Sequence, residues 1–88
     1  MDSNTFNKIE ILLIEIFDLI VSELGSNPYE DLDKMLKIVV QKNYNQKDAL
    51  KNKLKNFSIL LYNRRLENQS HILDNLNKVY ELLANNPL

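Results

Sequence analysis

Four stretches of this chain repeat apolar side chains at intervals of three and four, and a single glycine and two prolines are all that interrupt them. Such spacing gathers each apolar set onto one side of a helix, and a helix with one oily side must bury it against others. The first set, Phe6, Ile9, Leu13, Ile16, Phe17, Ile20 and Leu24, predicts a helix over about 3–24. Gly25 follows it as a left-handed cap. In "SNPYED", Asn27 is placed to cap, Pro28 suits a first helical position, and Glu30 stands three residues after the cap. A second helix is therefore expected over about 28–42, with Tyr29, Leu32, Leu36, Val39 and Val40 inward, Met35 beside them and Lys42 near the carbonyl end. Asn45, with Asp48 three residues on, opens a third helix over about 46–65 whose stripe is Leu50, Leu54, Phe57 and Leu61. The fourth, over about 69–84, buries Ile72, Leu73, Leu76, Val79, Tyr80 and Leu83 and stops at "NNP".

Connections this short make each helix run back along the one before it. The expectation is all-α: one antiparallel up-down four-helix bundle spanning 1–88. With 88 residues and no cysteine, the chain has no disulfide framework and no thiolate chemistry. Apolar burial, at about 25 cal/mol per Å², must carry its stability against a chain entropy of similar size.

The opening "MDSNTFNKIE" has an acid and amides where a secretory signal needs a basic start and a clean apolar run. "IEILLIEIFDLIV" carries Glu10, Glu15 and Asp18, too many carboxylates for a membrane span. A cytoplasmic, soluble protein is expected.

A net charge of −1 conceals a sharp segregation. Residues 1–33 hold eight acids and one lysine, residues 34–65 nine bases and one acid, Asp48, and residues 66–88 three acids and one lysine. One reading is that acidic and basic helices lie side by side and pair, each exposed pair contributing under about 1 kcal/mol. The other is a basic surface free for an acidic partner.

Reactive chemistry finds little to work with. His71 stands alone, and the neighbouring Ser70 and Glu67 are turn residues of the kind that cap helices. Glu30, Asp31 and Asp33 in "EDLD" suit the positive end of a helix dipole without any metal. A phosphate-cradling glycine loop is impossible with Gly25 alone. The expectation is no enzyme, no cofactor and no metal. Lys47, Lys51, Lys55, Arg64 and Arg65 gather on the third helix and its exit, yet the acidic first helix and a pI of about 5.7 oppose nucleic acid.

What remains is a surface. On the third helix Ile59 falls opposite the inward stripe with Asn52, Asn56 and Asn63, flanked by Lys51, Lys55 and Tyr62 on one side and by Lys53 and Arg64 on the other. On the fourth, His71 lies on an edge with Asn75 and Lys78. With Arg64 and Arg65 these predict a basic, amide-rich rim around the third turn, "YNRRLENQSHIL". Arginine beside tyrosine favours binding, because both offer contact area and directed hydrogen bonds.

The layout of "IEILLIEIFDLI", "YEDLDKMLKIVVQK", "ALKNKLKNFSILLYNRRL" and "SHILDNLNKVYELL" resembles, along nearly the whole chain, the bacteriocin immunity proteins of the enterocin A immunity type. The resemblance implies a cytosolic four-helix bundle that protects a producer of pediocin-like peptides from its own pore-former. It implies action at the inner face of the membrane, on the membrane components of the mannose phosphotransferase permease once bacteriocin has engaged them. Discrimination between bacteriocins would fall in the C-terminal half, here the third turn and fourth helix. Many members extend further at the C-terminus than "NNPL". Outside that family, a small helical adaptor binding a protein partner is the next reading, and a nucleic-acid-binding regulator the third.

Overall fold

The computed structural model describes residues 3–85. Four helices follow one another: α1 (Ser3–Leu24), α2 (Glu30–Val40), α3 (Lys47–Tyr62) and α4 (Gln69–Ala84), with a short 3-10 turn at Tyr44–Gln46 leading into α3. Each packs on its sequence neighbours and α4 closes against α1, whereas α1 with α3, and α2 with α4, stand diagonally apart. This is the expected antiparallel up-down bundle. Its long dimension, 35 Å, is about what α1 alone spans at roughly 1.5 Å per residue.

The interior is the four stripes brought together. Phe6, Ile9, Leu13, Ile16 and Ile20 of α1 lose all solvent contact, as do Leu32, Met35 and Val39 of α2 and Leu50, Leu54, Phe57 and Leu61 of α3. Ile72, Leu76, Val79 and Leu83 complete the core from α4. Rings close it at both ends. The Tyr29 edge meets Phe57 with centroids 5.3 Å apart at one end, and Phe6 meets Tyr44 at 4.8 Å at the other.

Several residues expected inward do not go there. Val40 and Tyr80 are exposed, and Phe17, Leu36 and Leu73 are only half-buried. Consecutive helical residues are set about 100° apart, so of Val39–Val40 and Val79–Tyr80 only one of each can face the axis. On α2 the other inward place goes to Ile38. Leu24 lies on the α1 stripe but at the last residue of the helix, where it is exposed.

The helix ends also differ from the sequence reading. α2 begins at Glu30, two residues after Pro28, because Asn27 braces the approach instead of capping it. Its Oδ1 accepts from the Tyr29 amide and its Nδ2 donates to the Tyr29 carbonyl, both at 3.1 Å, and to Asp33 Oδ1 at 3.0 Å. The end of α2 is a Schellman turn: Asn43 donates to the Ile38 carbonyl and Lys42 to that of Val39. Lys42, at φ 56°, holds the left-handed place that glycine usually takes, and its Nζ reaches Asn7 Oδ1 on α1. α3 starts at Lys47 behind the 3-10 turn that contains Asn45, with no side-chain cap, and it ends at Tyr62. Arg64 and Arg65 therefore belong to the turn. Of the "NNP" stop, Asn85 ends the described residues, and Asn86 and Pro87 lie outside them.

Gly25 does take the left-handed conformation expected of it, at φ 82°. A methyl group there would meet nothing within 4 Å, so Gly25→Ala tests the backbone alone. It should lower stability by about 1 kcal/mol, measured by urea unfolding; no change would mean the turn relaxes without cost.

Candidate functional site

The third turn is held from several directions. Gln69, the first residue of α4, donates from Nε2 to the Leu61 carbonyl (2.9 Å) and accepts at Oε1 from the Leu66 amide (3.0 Å). One side chain thus ties the Leu61 carbonyl, which also accepts from the Arg64 amide, to a turn amide. Glu23, near the end of α1, accepts from the Glu67 amide at 2.7 Å. The Arg64 guanidinium lies 5.8 Å from the centroid of the Tyr29 ring, a cation over the face of a ring already fixed against Phe57. Neither Gln69 nor Glu23 was singled out from sequence. A glutamine beside an asparagine cap is a weak signal, and a contact across 44 residues leaves none.

Around this braced turn, Tyr62 is 73% exposed and Ile59 52% exposed, with Arg64 and Arg65 both open to solvent. Among the described residues neither arginine pairs with a carboxylate. Lys55 and Lys51 continue down the same side of α3, away from the flank that Lys53 turns toward α2. The turn and α3 thus present a continuous basic and aromatic strip.

The α4 part of the expected rim lies elsewhere. His71 faces α1, with Nε2 2.7 Å from Glu15 Oε1 and both side chains about half exposed. Lys78 borders a groove between α1 and α4 together with Lys8, Ile11 and Leu12. The strip on α3 and these two residues are therefore separated by the body of α4. Asn75 is corrected outright: it is 2% exposed, a core residue in place of a rim residue. It stands one turn after His71 and beside Leu76, and at that rotation the helix turns it inward; its polarity alone suggested an outward position.

The Asn75 Nδ2 has no hydrogen-bond partner, and neither has the buried Tyr29 hydroxyl. A buried amide without a partner costs about 1–3 kcal/mol. Asn75→Leu, similar in size, is expected to raise the thermal midpoint and to add about 1–2 kcal/mol. Calorimetry showing a loss of stability would mean the amide is satisfied in solution.

Among the described residues, no solvent-exposed lysine or arginine pairs with a carboxylate on another helix. Lys34 pairs with Glu30 (2.9 Å), one turn apart within α2, and His71 contacts Glu15 across α4 and α1. Lys34 holds the Glu30 carboxyl below its ordinary value, by its hydrogen bond first and its charge second, and is itself raised in return. Basic α3 stands diagonal to acidic α1, so Lys51, Lys53 and Lys55 have no α1 carboxylate to meet, while at the third turn the α1 carboxylate of Glu23 is taken by the Glu67 amide. Lys47 is the exception to their exposure, being buried in the first turn of α3.

Among the described residues no three histidine, aspartate or glutamate side chains are grouped to hold a metal ion. No described helix is long and apolar enough to cross a membrane. Comparison with protein-family models, with curated proteins and with solved structures finds no match to this chain.

Proposed function

We propose that this chain is an immunity protein: it protects a bacteriocin producer from a pediocin-like, pore-forming peptide by binding the engaged mannose phosphotransferase permease from the cytosolic side. The observation that carries the reading is the third turn. Arg64, Arg65, Tyr62 and Ile59 are exposed, with neither arginine paired to a carboxylate among the described residues, at the end of a bundle whose turn is held by Gln69, Glu23 and the stacking of Arg64 on Tyr29. A surface held in place before binding loses little entropy on docking, and arginine and tyrosine are the side chains that most often anchor interfaces. The layout of the four helices, which resembles the enterocin A immunity type, supplies the identity of the partner.

Protection of this kind needs binding and no bond-making. The bundle has to prefer the permease with bacteriocin bound over the resting permease, because a ligand shifts an equilibrium only by its differential affinity. Tagged protein should therefore co-purify with the membrane components of the permease from detergent-solubilised cells treated with peptide, and far less from untreated cells. Equal recovery with and without peptide would count against the mechanism.

A second reading, a helical adaptor for another protein, is favoured by the groove between α1 and α4. It measures about 420 Å³, and Ile11, 65% exposed, and Leu12 line it with Leu82. A partner helix laying an apolar edge there would use surface that the third turn does not.

A further inference from the structure

On the side of the molecule away from the α1–α4 groove, α2 and α3 enclose a second hollow of about 270 Å³. Lys34 and Lys37 enter it from α2 and Lys53 from α3, over a floor that includes Ile38. Gln41, Asn43 and Gln46 complete its lining, with the Asn43 side-chain amide donating to Gln41 Oε1 at 3.2 Å. Lys34 pairs with Glu30, whose carboxylate also feels the charge of Lys53; Lys37 and Lys53 have no ion-pair partner among the described residues. One carboxylate offsets only part of the charge of three ammonium groups drawn to one concavity, and an anion in their midst would relieve the rest.

We infer that this hollow is a binding site for a phosphate-bearing ligand, held by Lys34, Lys37 and Lys53 with hydrogen bonds from the neighbouring amides. Lysine suits phosphate because its compact charge and three donors can follow oxygens on a tetrahedral group. The side-chain amides add neutral donors, which carboxylate-rich surfaces lack. Size limits the ligand, since the hollow lies just below the range of about 300–1,000 Å³ usual for drug-sized molecules. It fits a phosphate or diphosphate head and leaves any larger attached group in solvent. That head can belong to a soluble phosphorylated compound or to an anionic lipid. The assignment does not rest on the immunity reading and uses none of the third-turn residues.

Charge segregation along the sequence is a separate argument for it. Residues 34–65 carry nine bases and one acid, and packing α2 beside α3 brings Lys34, Lys37 and Lys53 of that set together, beyond the acidic first turn of α2 formed by Glu30, Asp31 and Asp33. Acidic α1 lies across the diagonal from α3. An approaching anion therefore meets lysines past the first turn of α2, and carboxylates along α1.

The test titrates labelled protein with inorganic pyrophosphate at physiological ionic strength and follows the backbone amide resonances. Saturable shifts confined to residues 34–46 and the surroundings of Lys53 are expected. Lys37→Gln with Lys53→Gln, both at the surface, should weaken binding at least about tenfold, whereas Lys51→Gln with Lys55→Gln, outside the hollow, should change it less than about twofold. A parallel arm uses phosphatidylcholine vesicles with and without phosphatidylglycerol. Vesicle binding lost in the first variant, with no pyrophosphate binding, would assign the head to a lipid, and the reverse result to a soluble compound. Binding of neither probe, or equal losses from the two lysine pairs, would overturn the site.

Discussion

Phe57→Ala is expected to cost about 3–5 kcal/mol, the range for removing a buried aromatic ring. A chain of this length has a total stability of about 4–13 kcal/mol at the usual figure per residue, so the variant should lose from a quarter of its stability to all of it. The reason is position. Phe57 has no solvent exposure, sits in the middle of the α3 stripe and takes the edge of Tyr29 from the start of α2. Tyr29 in turn lies under Arg64, so losing the ring at Phe57 should also loosen the third turn. Ile59→Ala, on the outer face of the same helix, serves as the control and should cost under about 0.5 kcal/mol. Urea unfolding followed by helical circular dichroism gives both values. A loss under about 1 kcal/mol for Phe57→Ala would mean that the stripes do not close into a packed core.

The second large effect is functional. Arg64→Glu with Arg65→Glu should weaken docking by about 2 kcal/mol or more, at least about thirtyfold, and so abolish protection. Reversing two charges in a basic strip replaces attraction by repulsion against the same acidic partner. The fold should barely register it. Arg65 makes no side-chain hydrogen bond, ion pair or ring contact among the described residues, and the stacking of Arg64 on Tyr29 contributes about 0.5–1 kcal/mol. Arg65→Glu alone avoids even that loss, and it should reduce protection with the thermal midpoint unmoved. Survival of challenged cells measured beside the melting curve separates the two roles. Full protection by the double variant would remove the third turn from the mechanism.

Much of the fold was legible because burial follows period. Leu13, Leu54 and Leu76 recur with their neighbours at helical spacing, and helical spacing is what a bundle core requires. Gly25 was legible because few residues other than glycine accept its backbone conformation easily. Ile38 was missed, with Val40 taken in its place, since both lie near the edge of the α2 stripe and only the rotation of α2 against α3 decides between them. Asn75 was placed outside on polarity, which says what a residue prefers and not where its helix turns it.

The candidate site was legible in its local part alone. Arg64, Arg65, Tyr62 and Ile59 are close in sequence and stayed together in space. His71 and Lys78 were joined to them by proximity in sequence, and the body of α4 carried them to the α1 side. The segregation of charge was visible as numbers. Its consequence, that α1 stands diagonal to α3 and leaves the lysines unpaired, depended on the order of helices around the bundle.

The claim at the centre of this account is that the bundle protects a cell by docking and without chemistry. The most direct measurement makes the protein in a bacteriocin-sensitive strain and counts survivors after challenge with a panel of pediocin-like peptides. Survival restored against at least one peptide, at expression levels where the folded protein is detected, is the result expected. Killing unchanged across the whole panel, with the protein present and folded, would contradict it.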